Sequence, residues 1–134
     1  MATIKSYYSG NLSTSMTHVQ SGKEINTEAP VDNNGTGQSF SPTDLVAAAL
    51  GSCMVTIMGI VAARDNVDLS GLKWETTKIM NPQPRKIKEI VIDFHWDNPI
   101  DDAVMLKKLK QAALTCPVAL SLDPAIQQTV NFNF

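Results

Sequence analysis

The longest hydrophobic pattern in the chain is an almost unbroken apolar run from Leu45 to Ala63. Ser41 and Pro42 precede the run, and these residue types favour the N-cap and the first position of a helix. Arg64 follows it, where a positive charge complements the negative end of a helix dipole. The pattern therefore predicts one long helix from Pro42 to about Arg64 that is apolar on every side.

Alternating apolar positions predict strands on both sides of this helix. Every second residue from Ile90 to Trp96 is apolar, while the residues between them are mostly charged or polar, as in a strand with one buried face. The predicted strands cover residues 3–8, 12–20, 24–27, 72–80, 86–96 and 126–134, and two further helices cover 101–114 and 116–122. This order predicts one α+β domain over residues 1–134 with a mostly antiparallel sheet.

Composition and charge narrow the classes of protein to which the chain can belong. Apolar residues make up 43% of its 134 residues and charged residues 18%, which is typical of a soluble globular protein. A net charge of −2 argues against nucleic-acid binding. The N-terminus has no signal-peptide pattern, and the apolar run lacks an aromatic belt and basic flanks, so we expect a cytoplasmic protein that does not enter membranes. A helix that is apolar all round in so small a chain indicates a partner subunit.

The two cysteines are the best candidates for chemistry. Cys53 lies in the middle of the long helix, and Cys116 immediately precedes Pro117 at the start of a short one. Free N–H groups at a helix start favour a thiolate at Cys116, whereas Cys53 lies too deep in its helix for that effect. Either cysteine alone would most simply be a packed core residue. Together they fit a redox pair, in which one thiolate attacks a peroxide and the other thiol resolves the sulfenic acid as a disulfide.

The histidines and Met54 give weaker indications of function than the two cysteines. His18 and His95 form no cluster with the spacing of metal ligands, so we expect neither a metal nor a cofactor. Met54, next to Cys53, is either a core residue or part of the lining of an apolar substrate pocket.

Three segments resemble, in order, the motifs of the OsmC/Ohr family of osmotically inducible protein C and organic hydroperoxide resistance proteins: Ser41–Leu45, Gly51–Cys53 and Cys116–Leu120. The resemblance covers essentially the whole chain. It implies the OsmC-like fold, with antiparallel sheets wrapped around a long central cysteine-bearing helix in an intertwined homodimer. It also implies a thiol-dependent peroxidase for organic hydroperoxides in oxidative-stress defence, with Cys53 attacking and Cys116 resolving. The implied reductant is a dithiol, a lipoylated protein in the Ohr branch.

Two positions differ from the pattern of this family. Thr43 stands where its peroxidases have Glu, and Asp44 is turned by about 100° around the helix from that position. No Arg precedes Cys53, so Lys5, Lys23 and the partner subunit's Arg85 become the candidates for the activating cation. Two alternatives follow from these differences: a non-catalytic OsmC-like dimer that binds a small apolar ligand, and a thiol redox sensor.

Overall fold

A computed structural model describes all 134 residues, Met1–Phe134. Its elements are β1 Ile4–Gly10, β2 Ser13–His18, β3 Glu24–Glu28, a short 3-10 helix Val31–Asn33, α1 Pro42–Arg64, β4 Leu72–Pro82, β5 Arg85–Trp96, α2 Ala103–Leu114, α3 Pro117–Ser121 and β6 Gln127–Asn133. Every predicted helix and strand is present, and the predicted bounds are correct within two residues. The chain divides into a first unit, Met1–Val46, and a second unit, Ala47–Phe134. The single domain predicted over residues 1–134 stays a prediction.

The first unit contains an antiparallel sheet, which we call sheet A, in the order β1-β2-β3. Met16 on β2 pairs with Ile25 on β3, and the hydroxyl groups of Thr14 and Thr27 hydrogen-bond across the same two strands. Pairing is regular between β2 and β3, whereas the register between β1 and β2 shifts between Tyr8 and Gly10. The buried residues of sheet A are nevertheless few, and its large apolar side chains are mostly exposed.

Helix α1 begins where the sequence predicts because Ser41 and Asp44 cap it reciprocally. The amide of Ser41 donates to Asp44 Oδ2 at 2.9 Å, and the amide of Asp44 donates to Ser41 Oγ at 3.0 Å. This is a capping box, which satisfies amides that have no partner inside the helix. Asp44 thus takes the place that Glu or Gln usually holds in such a box.

The second unit contains sheet B, in the order β4-β5-β6. Strands β4 and β5 are antiparallel, but β6 runs parallel to β5, with Glu89 paired to Gln127 and His95 to Asn133. The expectation of antiparallel pairing is wrong for this strand. The reason is that α2 and α3 carry the chain back before β6 begins, which is the crossover that parallel neighbours require.

Strand β5 presents its apolar face to the core of the second unit. Ile90, Ile92 and Phe94 are fully buried, and the predicted two-sided alternation is confirmed. Ile87 is also buried although it lies an odd number of residues from Ile90. The register between β4 and β5 shifts at this point, and such a bulge returns the side chain to the inner face.

The buried residues of α1 recur once or twice in each turn and form one face of the helix: Ala47, Leu50, Gly51, Met54, Met58 and Ala62. They belong to the same core as the inner residues of β5 and α2. The opposite face of α1 stays accessible, and Ile60 is 47% exposed. By length and composition alone α1 is also long and apolar enough to cross a membrane, a test that core helices pass as well.

Candidate active site

Cys53 lies on α1 at the border between the buried and the accessible faces. Its neighbour Met54 is fully buried, whereas Ser52 on the other side is exposed. Cys53 itself has intermediate exposure and is a free thiol. This position gives its sulfur both an apolar environment and access from outside the core.

Cys116 is the N-cap of α3, as the sequence predicts. Its Sγ accepts a hydrogen bond from the amide of Ala119 at 3.4 Å, and Pro117 occupies the first helical position. Unlike Cys53, it is completely buried. The helix start therefore fixes the side chain of Cys116 inside the core.

The fold brings the two thiols together. Cys53 packs against the core that contains Cys116 and lies close enough to affect the pKa of Cys116, although 63 positions separate them in the chain (116 − 53). Both cysteines are free thiols. The pairing that the sequence suggested but could not demonstrate is thus present as a contact.

The protonation of Cys116 differs from the expectation based on its N-cap position. Burial raises the pKa of Cys116 most, and the interaction of this thiol with the side chain of Cys53 raises it further. The amides of Ala119 and Val118 lower this pKa, but their effect is smaller than the combined opposing effects. The pKa of Cys116 therefore shifts against the expected thiolate, because desolvation outweighs the helix start.

The other residues suggested by sequence lie at the start of α1, in the turn before β3 and at the start of β5. Thr43 and Asp44 occupy the first turn of α1, where the Thr43 hydroxyl lies 3.2 Å from Ser41 Oγ. Lys23 lies in the turn before β3 and lines a groove on the first unit, together with Ile4, Met16, His18, Ile25 and Leu45. Arg85 is the first residue of β5 and pairs with Pro82. No cation is among the groups that shift the pKa of Cys116.

An open cavity of about 560 Å³ lies between the later part of α1 and the end of α2. Its lining includes Val61, Ala112 and Leu114, and it is mostly apolar. Lys108 also lines it and forms an ion pair with Asp65 at 2.9 Å. The cavity reaches Thr115, the residue directly before Cys116 in the chain.

No group of three or more His, Cys, Asp or Glu side chains is arranged to hold a metal ion. His18 Nδ1 instead lies 2.7 Å from the hydroxyl of Ser21, and His95 is exposed on β5. His18 therefore has a local hydrogen-bond partner rather than a metal ligand set.

The contacts of two residues, Trp74 and Gln128, were not predicted from the sequence. Trp74 covers Gly51, and a Cβ at Gly51 would lie only 2.6 Å from the indole Nε1. A glycine inside a strong helix pattern was a signal for such a close approach. The side chain of Gln128 donates a hydrogen bond to the carbonyl of Ala119 at 3.0 Å, and no local pattern indicated that contact.

Comparison with known proteins identifies the fold. A family model described as OsmC-like protein matches residues 35–131 of the chain. The chain belongs to the OsmC-like family. A comparison with curated proteins finds no match.

Several solved structures are similar to this OsmC-like chain. A candidate osmotic stress induced and detoxification response protein from Psychrobacter arcticus 273-4 is 47% identical, with a TM-score of 0.92, over 98% of this chain and 95% of that one. A candidate organic hydroperoxide resistance protein from Vibrio cholerae, with captopril bound in one of its active sites, is 18% identical, with a TM-score of 0.74, over 99% and 92%. OhrB of Bacillus subtilis is 17% identical, with a TM-score of 0.63, over 97% of each chain.

These comparisons confirm the resemblance and the α+β fold class predicted from the sequence. Identities of 17% and 18% show the common fold of the OsmC-like chain and the hydroperoxide resistance proteins. The roles of individual residues in this chain stay predictions.

Proposed function

We propose that this OsmC-like chain is a cytoplasmic thiol-dependent peroxidase that reduces organic hydroperoxides in oxidative-stress defence. The contact between Cys53 and Cys116 carries the proposal, because it joins the only two thiols in the chain. Reduction of a peroxide by cysteines needs one sulfur that attacks and a second thiol within reach. A contact between two free thiols in an apolar environment supports that chemistry.

Cys53 is the attacking residue in this proposal, since it is partly exposed whereas Cys116 is buried. Its thiolate attacks the terminal oxygen of the hydroperoxide, and the O–O bond breaks. The sulfur keeps the OH group as a sulfenic acid, and the alkoxide leaves and takes up a proton to become an alcohol. The peroxide is thereby reduced by two electrons, which the sulfur supplies.

Cys116 resolves the sulfenic acid. Because burial raises the pKa of Cys116, its sulfur still carries a proton when Cys53 has reacted. The S–S bond forms as the S–O bond of Cys53 breaks, and the OH group leaves as water with that proton. A dithiol, for which a lipoylated protein is the candidate, then reduces the disulfide and becomes oxidised itself.

The apolar cavity between α1 and α2 supports an organic substrate. Val61, Ala112 and Leu114 offer an alkyl chain a surface to pack on. Burial of each methylene group is worth about 0.8 kcal/mol, whereas hydrogen peroxide has no carbon to bury. The proposal therefore favours alkyl hydroperoxides over hydrogen peroxide.

We also propose that two copies of the chain form a homodimer. Large apolar side chains of the first unit are exposed, among them Tyr7, Tyr8, Leu12, Ile25 and Phe40. The outer face of α1 is lined with small or apolar residues, Ala49, Ser52, Thr56, Ile60 and Ala63, and all five are accessible. A second copy would cover these exposed apolar surfaces.

The test measures consumption of cumene hydroperoxide with dihydrolipoamide as the dithiol. We expect steady turnover by the wild type and none by Cys53→Ser, because the serine oxygen cannot form a sulfenic acid. Cys116→Ser should react once and then stop. Equal rates for the wild type and Cys53→Ser would refute the assignment.

Mass spectrometry after one equivalent of hydroperoxide separates the alternatives. A Cys53–Cys116 disulfide supports the peroxidase. Two unmodified thiols would support the dimer that binds an apolar ligand, and oxidation without repeated turnover would support the redox sensor. Single replacement of Lys23 and of Arg85 by Ala then tests which cation, if either, speeds the attack.

A further inference from the structure

Helix α3 is a single turn, Pro117–Ser121, and has no buried residue. A helix of five residues is too short to be stable by its internal hydrogen bonds. Its conformation therefore depends on the packing of Val118 and Ala119 against the core and on the hydrogen bonds that its polar groups make. Cys116 Sγ is one such group, because it accepts from the amide of Ala119 at 3.4 Å.

The carbonyl groups of α3 accept hydrogen bonds from donors inside and outside the helix. The carbonyls of Cys116 and Val118 accept from amides within the same segment, each at 3.1 Å. The carbonyl of Ala119 accepts from Gln128 Nε2 at 3.0 Å, a donor that lies outside the helix. Ala119 thus contacts Cys116 through its amide and Gln128 through its carbonyl.

Gln128 is well placed to act as an anchor. It lies on β6 and pairs in register with Ile90, which is fully buried on the central strand of sheet B. β6 is an edge strand, but its seven residues all pair with β5, whereas α3 is a single turn. The side chain of Gln128 therefore ties α3 to a strand of sheet B.

We propose that Gln128 is a positioning residue that holds Cys116 against Cys53 through Ala119. It touches neither sulfur. The effect on the rate of peroxide reduction rests on the proposed peroxidase function, but the effect on the proximity of the thiols does not.

Gln128→Met removes the donor and keeps the length of the side chain. Attack on the peroxide by Cys53 should keep its rate, because Gln128 bonds to the resolving segment. Formation of the disulfide from the sulfenic acid should slow roughly threefold to tenfold, the size of one neutral hydrogen bond. A purely structural role would not separate the two steps.

The neighbouring residue provides a matched control. Gln127 lies on the same strand, is exposed, and donates to Thr129 Oγ1 at 3.2 Å. Gln127→Met should leave both steps unchanged. Gln128→Lys keeps a long side chain with a donor at its end, and it should restore most of the lost rate.

The first experiment is a single turnover with cumene hydroperoxide. The sulfenic acid is trapped with dimedone at timed intervals, and the disulfide is measured by mass spectrometry. Slower disulfide formation in Gln128→Met alone supports the proposal, and equal rates in the wild type and Gln128→Met would overturn it. Circular dichroism establishes that each variant is folded at the temperature used.

A second experiment needs no peroxide. The equilibrium between the Cys53–Cys116 disulfide and dithiothreitol is measured for each variant, and Gln128→Met should shift it threefold to tenfold towards the free thiols. If the wild type does not react with hydroperoxide but this shift is seen, the peroxidase proposal fails and the positioning role stands. An unchanged equilibrium would overturn the positioning role.

Discussion

Ile92 in the second unit is fully buried, whereas Ile25 in the first unit is 52% exposed, although both lie near the middle of their strands. The contrast extends to the two units as a whole. Apolar residues of α1, β5 and α2 form a continuous core in the second unit. The residues buried in the first unit are Ser15, Thr27 and Ser41, and each carries a hydroxyl group.

The two units therefore have different sources of stability. Burial of apolar surface is the main favourable term in folding, and only the second unit has it in quantity. Sheet A has strand pairing and polar contacts, which contribute little net free energy by themselves. A three-stranded sheet needs an apolar face against something else to be stable. A second copy of the chain would provide it.

The largest expected effect comes from a matched pair of isoleucines. Ile92→Ala should lower the free energy of unfolding by about 2–5 kcal/mol, since it leaves a cavity in the core. Ile25→Ala should cost less than about 1 kcal/mol in dilute protein, because the side chain is already half in water. Urea denaturation at low protein concentration measures both. Equal losses would contradict the contrast between the units.

At higher protein concentration the same pair tests the homodimer. The stability of a dimer rises with protein concentration, whereas that of a monomer does not. If a second copy covers sheet A, Ile25→Ala should weaken this dependence and Ile92→Ala should keep it. Sedimentation measures the association directly.

Replacement of either of two glycines in α1 should have a smaller effect on the free energy of unfolding. Gly51→Ala should destabilise the chain by about 1–3 kcal/mol, because the new Cβ meets the rigid indole of Trp74. Gly59 has no atom within 4 Å of such a Cβ, so Gly59→Ala should stabilise by roughly 0.5–1 kcal/mol through helix propensity. Thermal unfolding measures both. Tryptophan fluorescence should change only in Gly51→Ala, and effects of the same sign would refute this reading of α1.

The smallest expected effect is on the pKa values of two carboxylates, Glu28 in the first unit and Asp68 in the second. Hydrogen bonds from the side chain and amide of Thr36 hold the pKa of Glu28 below its ordinary value of 4.5, and Ser70 lowers the pKa of Asp68 in the same way. A lowered pKa stabilises the fold above the unfolded-state pKa, and this contribution is lost as the pH falls through the folded-state value.

Thr36→Val should therefore raise the pKa of Glu28 towards 4.5, but not fully, because the amide of Thr36 still donates. Ser70→Ala should raise the pKa of Asp68 similarly. Carbon-detected NMR titration measures both. If only one of the two pKa values rises, the local hydrogen bonds do not act in the same way in both units.

The sequence was most informative where one local pattern decides the structure. Ser41 and Pro42 specify the start of α1 through capping, and the period of two in β5 specifies which side chains are buried. The order of Cys53 and Cys116 in their motifs indicated the family. Each of these signals lies within a few neighbouring residues.

Features that depend on distant parts of the chain could not be predicted. The parallel pairing of β6 is set by the path of the crossover, which the pattern of β6 does not record. The burial that raises the pKa of Cys116 comes from the surrounding core and outweighs its N-cap position. The contact of Gln128 with Ala119 joins a strand to a separate helix.

The parallel pairing of β5 and β6 has a consequence for how sequence can vary. The segment of β6 paired with β5, Gln127–Asn133, is about 20 Å long at 3.3 Å per residue. Helix α2 has 12 residues and by itself spans about 18 Å, so it already covers nearly the whole return path. The turn that carries Cys116 is thus extra length in the connection. The sequence of this turn is therefore constrained by the buried thiol that it carries and not by the distance that the chain must cover.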